Sequence, residues 1–169
     1  MIPLSHFNQL TPDEALTVLQ PCVAISSWSV ALARGRPYAD LAALMNAARE
    51  CADSWGEAEL EQALSAHPRI GEKPAGQQAH VALSRHEQEA VNGDDGLLAR
   101  SLQEGNARYE ARFGRIFLIR ARGRSGQTIL RILEQRLQNS KEEEVEAALT
   151  QLREITLLRL EGVVGECIP

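Results

Sequence analysis

Apolar residues recur at three- and four-residue spacings along nearly the whole chain, and that spacing most constrains its fold. Leu41, Leu44, Met45, Ala48 and Ala52 follow the i, i+3, i+4, i+7 pattern of one helical face. Leu98, Leu102, Tyr109 and Phe113 mark another face, which Gly114 ends. Ile129, Leu130, Leu133 and Leu137 mark a third, and Val145, Leu149, Leu152 and Ile155 a fourth. Aromatic residues make up only 4% of the chain, so the core must come from Leu, Ile, Val and Ala, which favours helix on helix. With 169 residues the expectation is one compact all-α domain over residues 1–169, built of about eight helices. There are no repeats, linkers or low-complexity tracts.

The helix ends are also written locally. Thr11-Pro12-Asp13-Glu14 predicts a capped start with a capping box, and Pro21 a stop. Val23 to Ala33 predicts a second helix around Trp28, closed by Arg34-Gly35-Arg36-Pro37. Gly56 precedes a short helix carrying Leu60 and Leu64. Residues 71–83 show no period and read as a long irregular loop, after which Ser84 opens a helix that Asn92-Gly93-Asp94-Asp95-Gly96 breaks. Ile116-Phe117-Leu118-Ile119 is apolar on every side and has no second good strand to pair with, so it reads as a buried extended segment crossing the helices. The last helix begins near Ser140, and the run Glu142-Glu143-Glu144 in its first turn is explained by the helix dipole and solvent.

A net charge of −5 argues against a nucleic-acid partner. The basic clusters Arg112-Phe113-Gly114-Arg115 and Arg120-Ala121-Arg122-Gly123-Arg124 could serve a small anion, though a solvated loop explains most of these arginines. Cys22, Cys51 and Cys167 are odd in number and widely spaced, with no zinc pattern, which favours reduced thiols. No apolar stretch is long enough to span a membrane, and neither a signal peptide nor a peroxisomal address is evident. A cytoplasmic protein is the expectation by elimination.

Among the residues able to do chemistry, His67 follows a helix end and precedes Pro68, which disfavours helical backbone at the histidine. It could cap helix carbonyls or move protons. Ser84-x-x-Glu87 is a capping box, and on spacing alone capping is the better reading of Glu87. A helix N-terminus there would also suit an anionic ligand. His86-Glu87 begins like a zinc-protease motif, but position 90 is Ala90, so that pattern fails. His6 lies near a terminus expected to be mobile, and His80 lies in the long loop. Arg159, seven residues after Leu152, projects from the same apolar stripe and needs a partner if buried: a structural carboxylate or a substrate carboxylate.

Taken in order, Phe7-Asn8, Trp28, Arg36-Pro37-Tyr38, Ala66-His67-Pro68 with Gly71, Ser84-x-x-Glu87-Gln88, Asn106-x-x-Tyr109, Arg112-Phe113-Gly114, Phe117-Leu118-Ile119 and Leu158-Arg159-Leu160 give the chain a family likeness. It resembles the OHCU decarboxylases, which act on 2-oxo-4-hydroxy-4-carboxy-5-ureidoimidazoline in urate degradation. The resemblance covers nearly the whole chain. It implies an all-α homodimer that needs no metal or organic cofactor, binds a small anionic substrate and forms (S)-allantoin with release of CO2. It also implies that His67 handles the proton with Glu87 as its partner. Pro68, the turn Ser84, Arg85, His86, Glu87 and Gln88, and the backbone of Ile119, Arg120, Ala121, Arg122 and Gly123 are implied to hold the substrate, with Arg159 contributing. The chain departs from the family at Arg115-Ile116, where Phe-Pro is frequent, and at Arg120, where a small residue is frequent. Two rival readings remain at this level. One is a lyase or isomerase for a related heterocycle; the other is a helical small-anion-binding or scaffold protein in which His67 and Glu87 only cap helices.

Overall fold

A computed structural model describes residues 1–65 and 96–166. Within them the regular structure is helical apart from one short strand pair, as the apolar periodicity predicts. The expected loop over 71–83 and the helix from Ser84 lie outside the described residues. By internal contacts the chain forms two compact units, one of residues 1–63 and 153–169, the other of residues 64–152.

The first unit opens with β1 (Ile2–Pro3) and α1 (Leu4–Gln9). Strand β1 pairs in parallel with β2 (Val164–Gly165), with Ile2 opposite Val164. The N-terminus is therefore tied down, against the expectation of a mobile one, and His6 is an exposed residue of α1. Helix α2 (Pro12–Leu19) starts at the predicted capping box: the Glu14 N–H donates to Thr11 Oγ1 at 3.2 Å, and the Thr11 N–H to Glu14 Oε1 at 3.1 Å. That exchange lowers the Glu14 pKa from its ordinary value.

Helix α3 (Ser26–Arg34) is shorter than predicted. A 3₁₀ turn at Gln20–Cys22 and buried, non-helical Val23 and Ile25 precede it, because Pro21 redirects the chain before a helix can resume. Trp28 is fully buried, and its indole N–H donates to Ala48 O at 3.1 Å. Ala48 lies on α4 (Leu41–Asp53), whose buried face is Leu44, Met45, Ala48 and Ala52. Helix α5 (Glu57–Leu64) follows Gly56.

Arg36 ties this unit together. Its Nη1 donates to Phe7 O at 2.9 Å and Leu10 O at 2.7 Å, and its Nε to Ala33 O at 2.8 Å. These carbonyls lie at the C-terminal ends of α1 and α3, where a cation completes the hydrogen bonding and opposes the helix dipole. The guanidinium also lies 5.5 Å from the Phe7 ring centroid. Asn8 and Tyr38 exchange two 3.0 Å side chain–backbone hydrogen bonds next to the cis Arg36-Pro37 peptide.

The second unit contains α6 (Gly96–Phe113), α7 (Gly126–Arg136) and the first half of α8 (Lys141–Val163). Helices α6 and α7 approach closely at glycines. A Cβ on Gly126 would come 2.5 Å from Leu98 Cδ2, and one on Gly105 2.5 Å from Leu133 Cδ2. These contacts ascend in the same order along both helices, so α6 and α7 run in the same direction. The connection over residues 114–125 must return most of the length of α6, roughly 22 Å from Leu98 to Phe113. Twelve residues reach about 40 Å when fully extended but only about 18 Å as a helix, so the return cannot be helical. Phe117, Ile119 and Ala121 alternate into the core cluster with Leu102, Tyr109, Phe113, Ile129 and Leu133. This is the buried segment that the sequence predicts.

Glu144 was expected to face solvent, but it is fully buried. The buried stripe of α8 runs through Glu144, Ala148, Leu152 and Ile155, and Val145 is only partly buried. Both Nε (2.8 Å) and Nη2 of Arg136 donate to Glu144 Oε1, as does the Tyr109 hydroxyl at 2.5 Å; Asn139 Nδ2 donates to Oε2 at 3.1 Å. Arg136 Nη1 donates to Leu118 O at 2.6 Å, and the guanidinium lies 4.6 Å from the Phe117 ring centroid. Its neighbour Glu143 behaves as a solvated cap residue, exchanging hydrogen bonds with Ser140.

Arg136→Met would leave the Glu144 carboxylate buried without its main partner, at an expected cost of about 3–5 kcal/mol. In urea melts the double variant Arg136→Met/Glu144→Leu should recover much of that loss, because it removes the stranded charge. Equal losses in the single and double variants would show that the pair contributes through packing alone.

Candidate functional site

The predicted site residues fall in three places. His67, Pro68, Ser84, Arg85, His86, Glu87 and Gln88 lie outside the described residues. Ile119, Arg120, Ala121, Arg122 and Gly123 lie in the second unit, on the segment that returns from α6 to α7. Arg159 lies on α8 in the first unit.

The 119–123 stretch has a defined shape. The side chains of Ile119 and Ala121 are buried in the core cluster, so this part of the chain can address a ligand through its backbone or through the arginines. Arg120 is half-buried, and Arg122 and Gly123 are exposed at the tip of a turn. The Arg124 N–H donates to Ala121 O at 3.1 Å and closes the turn. Gly123 is its third residue with φ of 82°, where a side chain would be strained. Gln151 of α8 lies behind: its Oε1 accepts the Arg120 N–H at 2.9 Å and Arg124 Nη1 at 3.3 Å. Ser125 then caps α7, accepting the Thr128 N–H at 3.2 Å. Of the basic clusters read from sequence, Arg112 is an exposed side chain whose Nη2 donates to Asn139 O, and Arg124 is occupied at Gln151.

Arg159 is buried at 5% exposure, as its register with Leu152 predicts. Its Nη1 donates to Pro21 O at 3.3 Å. Cys22 is fully buried next to that carbonyl, and burial pushes its thiol up to about 12, with the Arg159 charge opposing the shift. Cys51 is half-buried, and its pKa is also raised by burial. Both thiols are free. Among the described residues, no three His, Cys, Asp or Glu side chains are grouped as metal ligands, and no helix is long and apolar enough to cross a membrane.

Sequence reasoning missed Gln151, Arg136 and Glu144. The signal for Glu144 was present: it stands four and eight residues before Ala148 and Leu152 on the buried stripe. Gln151 gave none, since its partners lie 31 and 27 residues away.

Comparisons with known proteins agree with one another. The family model described as OHCU decarboxylase matches residues 8–161. The 2-oxo-4-hydroxy-4-carboxy-5-ureidoimidazoline decarboxylase of Mus musculus is 32% identical over 86% of this chain and 80% of its own length. The uric acid degradation bifunctional protein of Bacillus sp. (strain TB-90) is 26% identical over 98% of this chain, which spans 33% of that longer protein. An OHCU decarboxylase crystallised in the presence of (S)-allantoin superposes with a TM-score of 0.73 at 25% identity, covering 87% of this chain and 96% of that one.

The thiols offer a direct check on this geometry. Only thiolate reacts with iodoacetamide, and burial holds Cys22 protonated far above its ordinary value of 9.0. Peptide mapping after brief labelling at mildly alkaline pH should find Cys51 modified ahead of Cys22, with Cys22 labelled only as urea unfolds the protein.

Proposed function

Since this chain belongs to the OHCU decarboxylase family, we infer that it removes CO2 from 2-oxo-4-hydroxy-4-carboxy-5-ureidoimidazoline and yields (S)-allantoin, a step of urate degradation. The observation that carries this reading is the match to a whole OHCU decarboxylase chain crystallised with (S)-allantoin, with the family model extending over most of the sequence.

The substrate bears its carboxylate on a ring carbon next to an imine carbon. When the C–CO2 bond breaks, its electron pair forms a double bond to that neighbour, and the imine nitrogen takes up the displaced pair. An enamine-like intermediate results, so the electron sink belongs to the substrate. The protein must then orient the carboxylate and deliver one proton to one face. His67 donates that proton to the ring carbon bearing the ureido group. Glu87 favours the protonated imidazole and takes the substrate hydroxyl proton as that group becomes a carbonyl, while the imine nitrogen takes a proton from solvent. Pro68, the Ser84–Gln88 turn, the backbone from Ile119 to Gly123 and the Arg159 guanidinium hold the anionic substrate. Delivery from a fixed imidazole gives one stereoisomer. The buried side chains of Ile119 and Ala121 support a role for their backbone, and the burial of Arg159 supports a charge held in low dielectric. The enzyme works as a homodimer in the cytoplasm; the free thiols of Cys22 and Cys51 fit a reducing compartment, and light scattering of the purified protein tests the dimer.

The test is spectroscopic. Urate, a urate oxidase and a hydroxyisourate hydrolase generate the substrate in the cuvette, and adding this protein should bring rapid circular dichroism of (S)-allantoin. His67→Asn should lose roughly 10²–10⁴ in rate. An unchanged rate and stereochemistry in that variant would sink the assignment. For Glu87, the Gln and Ala variants should both lose turnover. A lower melting temperature with turnover intact would leave Glu87 as a helix cap only.

A further inference from the structure

We propose that Gln151 is a positioning residue for the substrate cradle, fixing the 120–124 turn through its side-chain carbonyl. The proposal rests on the reading that the backbone from Ile119 to Gly123 holds the substrate.

One oxygen atom does the fixing. Gln151 Oε1 accepts from the Arg120 backbone N–H at 2.9 Å and from Arg124 Nη1 at 3.3 Å. Both partners are donors, so the amide must present oxygen there, and its orientation follows from the chemistry. The two donors bracket the turn that the Arg124 N–H closes on Ala121 O. Two residues before Arg120, Leu118 O is held by Arg136 Nη1. The backbone is thus pinned at 118 and 120, and the turn is pinned again through the side chain of Arg124. The anchors come from α7 and α8, and the exposed tip at Arg122 and Gly123 stands between the last two. The core side chains of Ile119 and Ala121 fix which face of the segment looks inward but not how far the turn leans. Gln151 supplies that constraint, since its side chain bonds both ends of the turn. A displacement of about 1 Å at a substrate-orienting group can cost on the order of 10²-fold in rate. A leucine would fill a similar volume on α8, so packing alone does not call for an amide at this position.

The experiment compares Gln151→Leu, Gln151→Glu and Gly123→Ala by initial rates in the circular dichroism assay, with melting curves for each. Gln151→Leu should raise KM by about 10-fold to 10²-fold with kcat nearly kept. Gln151→Glu should stay within about threefold of the parent KM, because a carboxylate still accepts both donors. Gly123→Ala, strained at a φ of 82°, should raise KM as well. A purely structural role would lower the melting temperature and the active fraction, hence the apparent kcat, with KM unmoved; that result overturns the proposal. So does a KM rise in Gln151→Leu that Gln151→Glu fails to restore. If Gly123→Ala raises KM and Gln151→Leu does not, the cradle stands and the role of Gln151 falls. If Gly123→Ala leaves KM unmoved, the cradle reading itself fails and takes the proposal with it.

Discussion

The carboxylate of Glu144 has no solvent exposure, and the second unit is arranged to supply it with donors. Arg136 reaches it from the end of α7, Tyr109 from α6, and Asn139 from the connection into α8. Burial, together with the hydrogen bond it donates to Glu144, raises the Tyr109 pKa well above the usual phenol range, so the hydroxyl remains a donor. Taking both charges out of water is costly, and their attraction offsets that cost only when the remaining donors are satisfied. The remaining Arg136 nitrogen, Nη1, therefore needs an acceptor, and the one it meets is Leu118 O. This bond sets the register of the returning segment. A slip of one residue would turn Phe117, Ile119 and Ala121 away from the core, because side chains of an extended chain alternate.

Many of the residues that carry the family likeness serve the scaffold. Arg36 caps two helices and covers Phe7, while Asn8 and Tyr38 join α1 to the α3–α4 connection. Tyr109 belongs to the Glu144 cluster. Gly114 ends α6 with φ of 73°, its N–H donating to Glu110 O. Bonds to helix-end carbonyls and the buried Arg136–Glu144 pair add directional specificity to the apolar core.

The helices were legible because their periodicity and caps are local. Thr11 and Ser140 announce their helices within three residues. Features made by distant parts of the chain were hidden. The start of α3 moved to Ser26, since Val23 and Ile25 are as apolar as a helix face but are buried outside any helix. Helix α1 and strand β1 escaped notice because a six-residue helix has almost no pattern, and a two-residue strand needs its partner 162 positions away. Glu144 looked like one of three dipole-facing acids, and only its place on the α8 stripe sets it apart. At the site, the burial of Arg159 followed from register with Leu152, whereas Ile119 to Gly123 came from family likeness and could not be read from spacing.

The departure at Arg120 illustrates what a backbone cradle permits. On an alternating segment its side chain faces away from Phe117, Ile119 and Ala121, so a long residue there need not disturb the core that shapes the turn. Its N–H does not depend on which side chain it carries, and that N–H is the group Gln151 holds. A cradle made of main chain, as proposed, thus tolerates change at Arg120 and Arg122, whereas the core fixes Ile119 and Ala121 and the φ of Gly123 fixes that residue. The demand for fixed chemistry passes to the side chains that hold the main chain in place. Those are Arg136 and Gln151, neither of which lies in the turn.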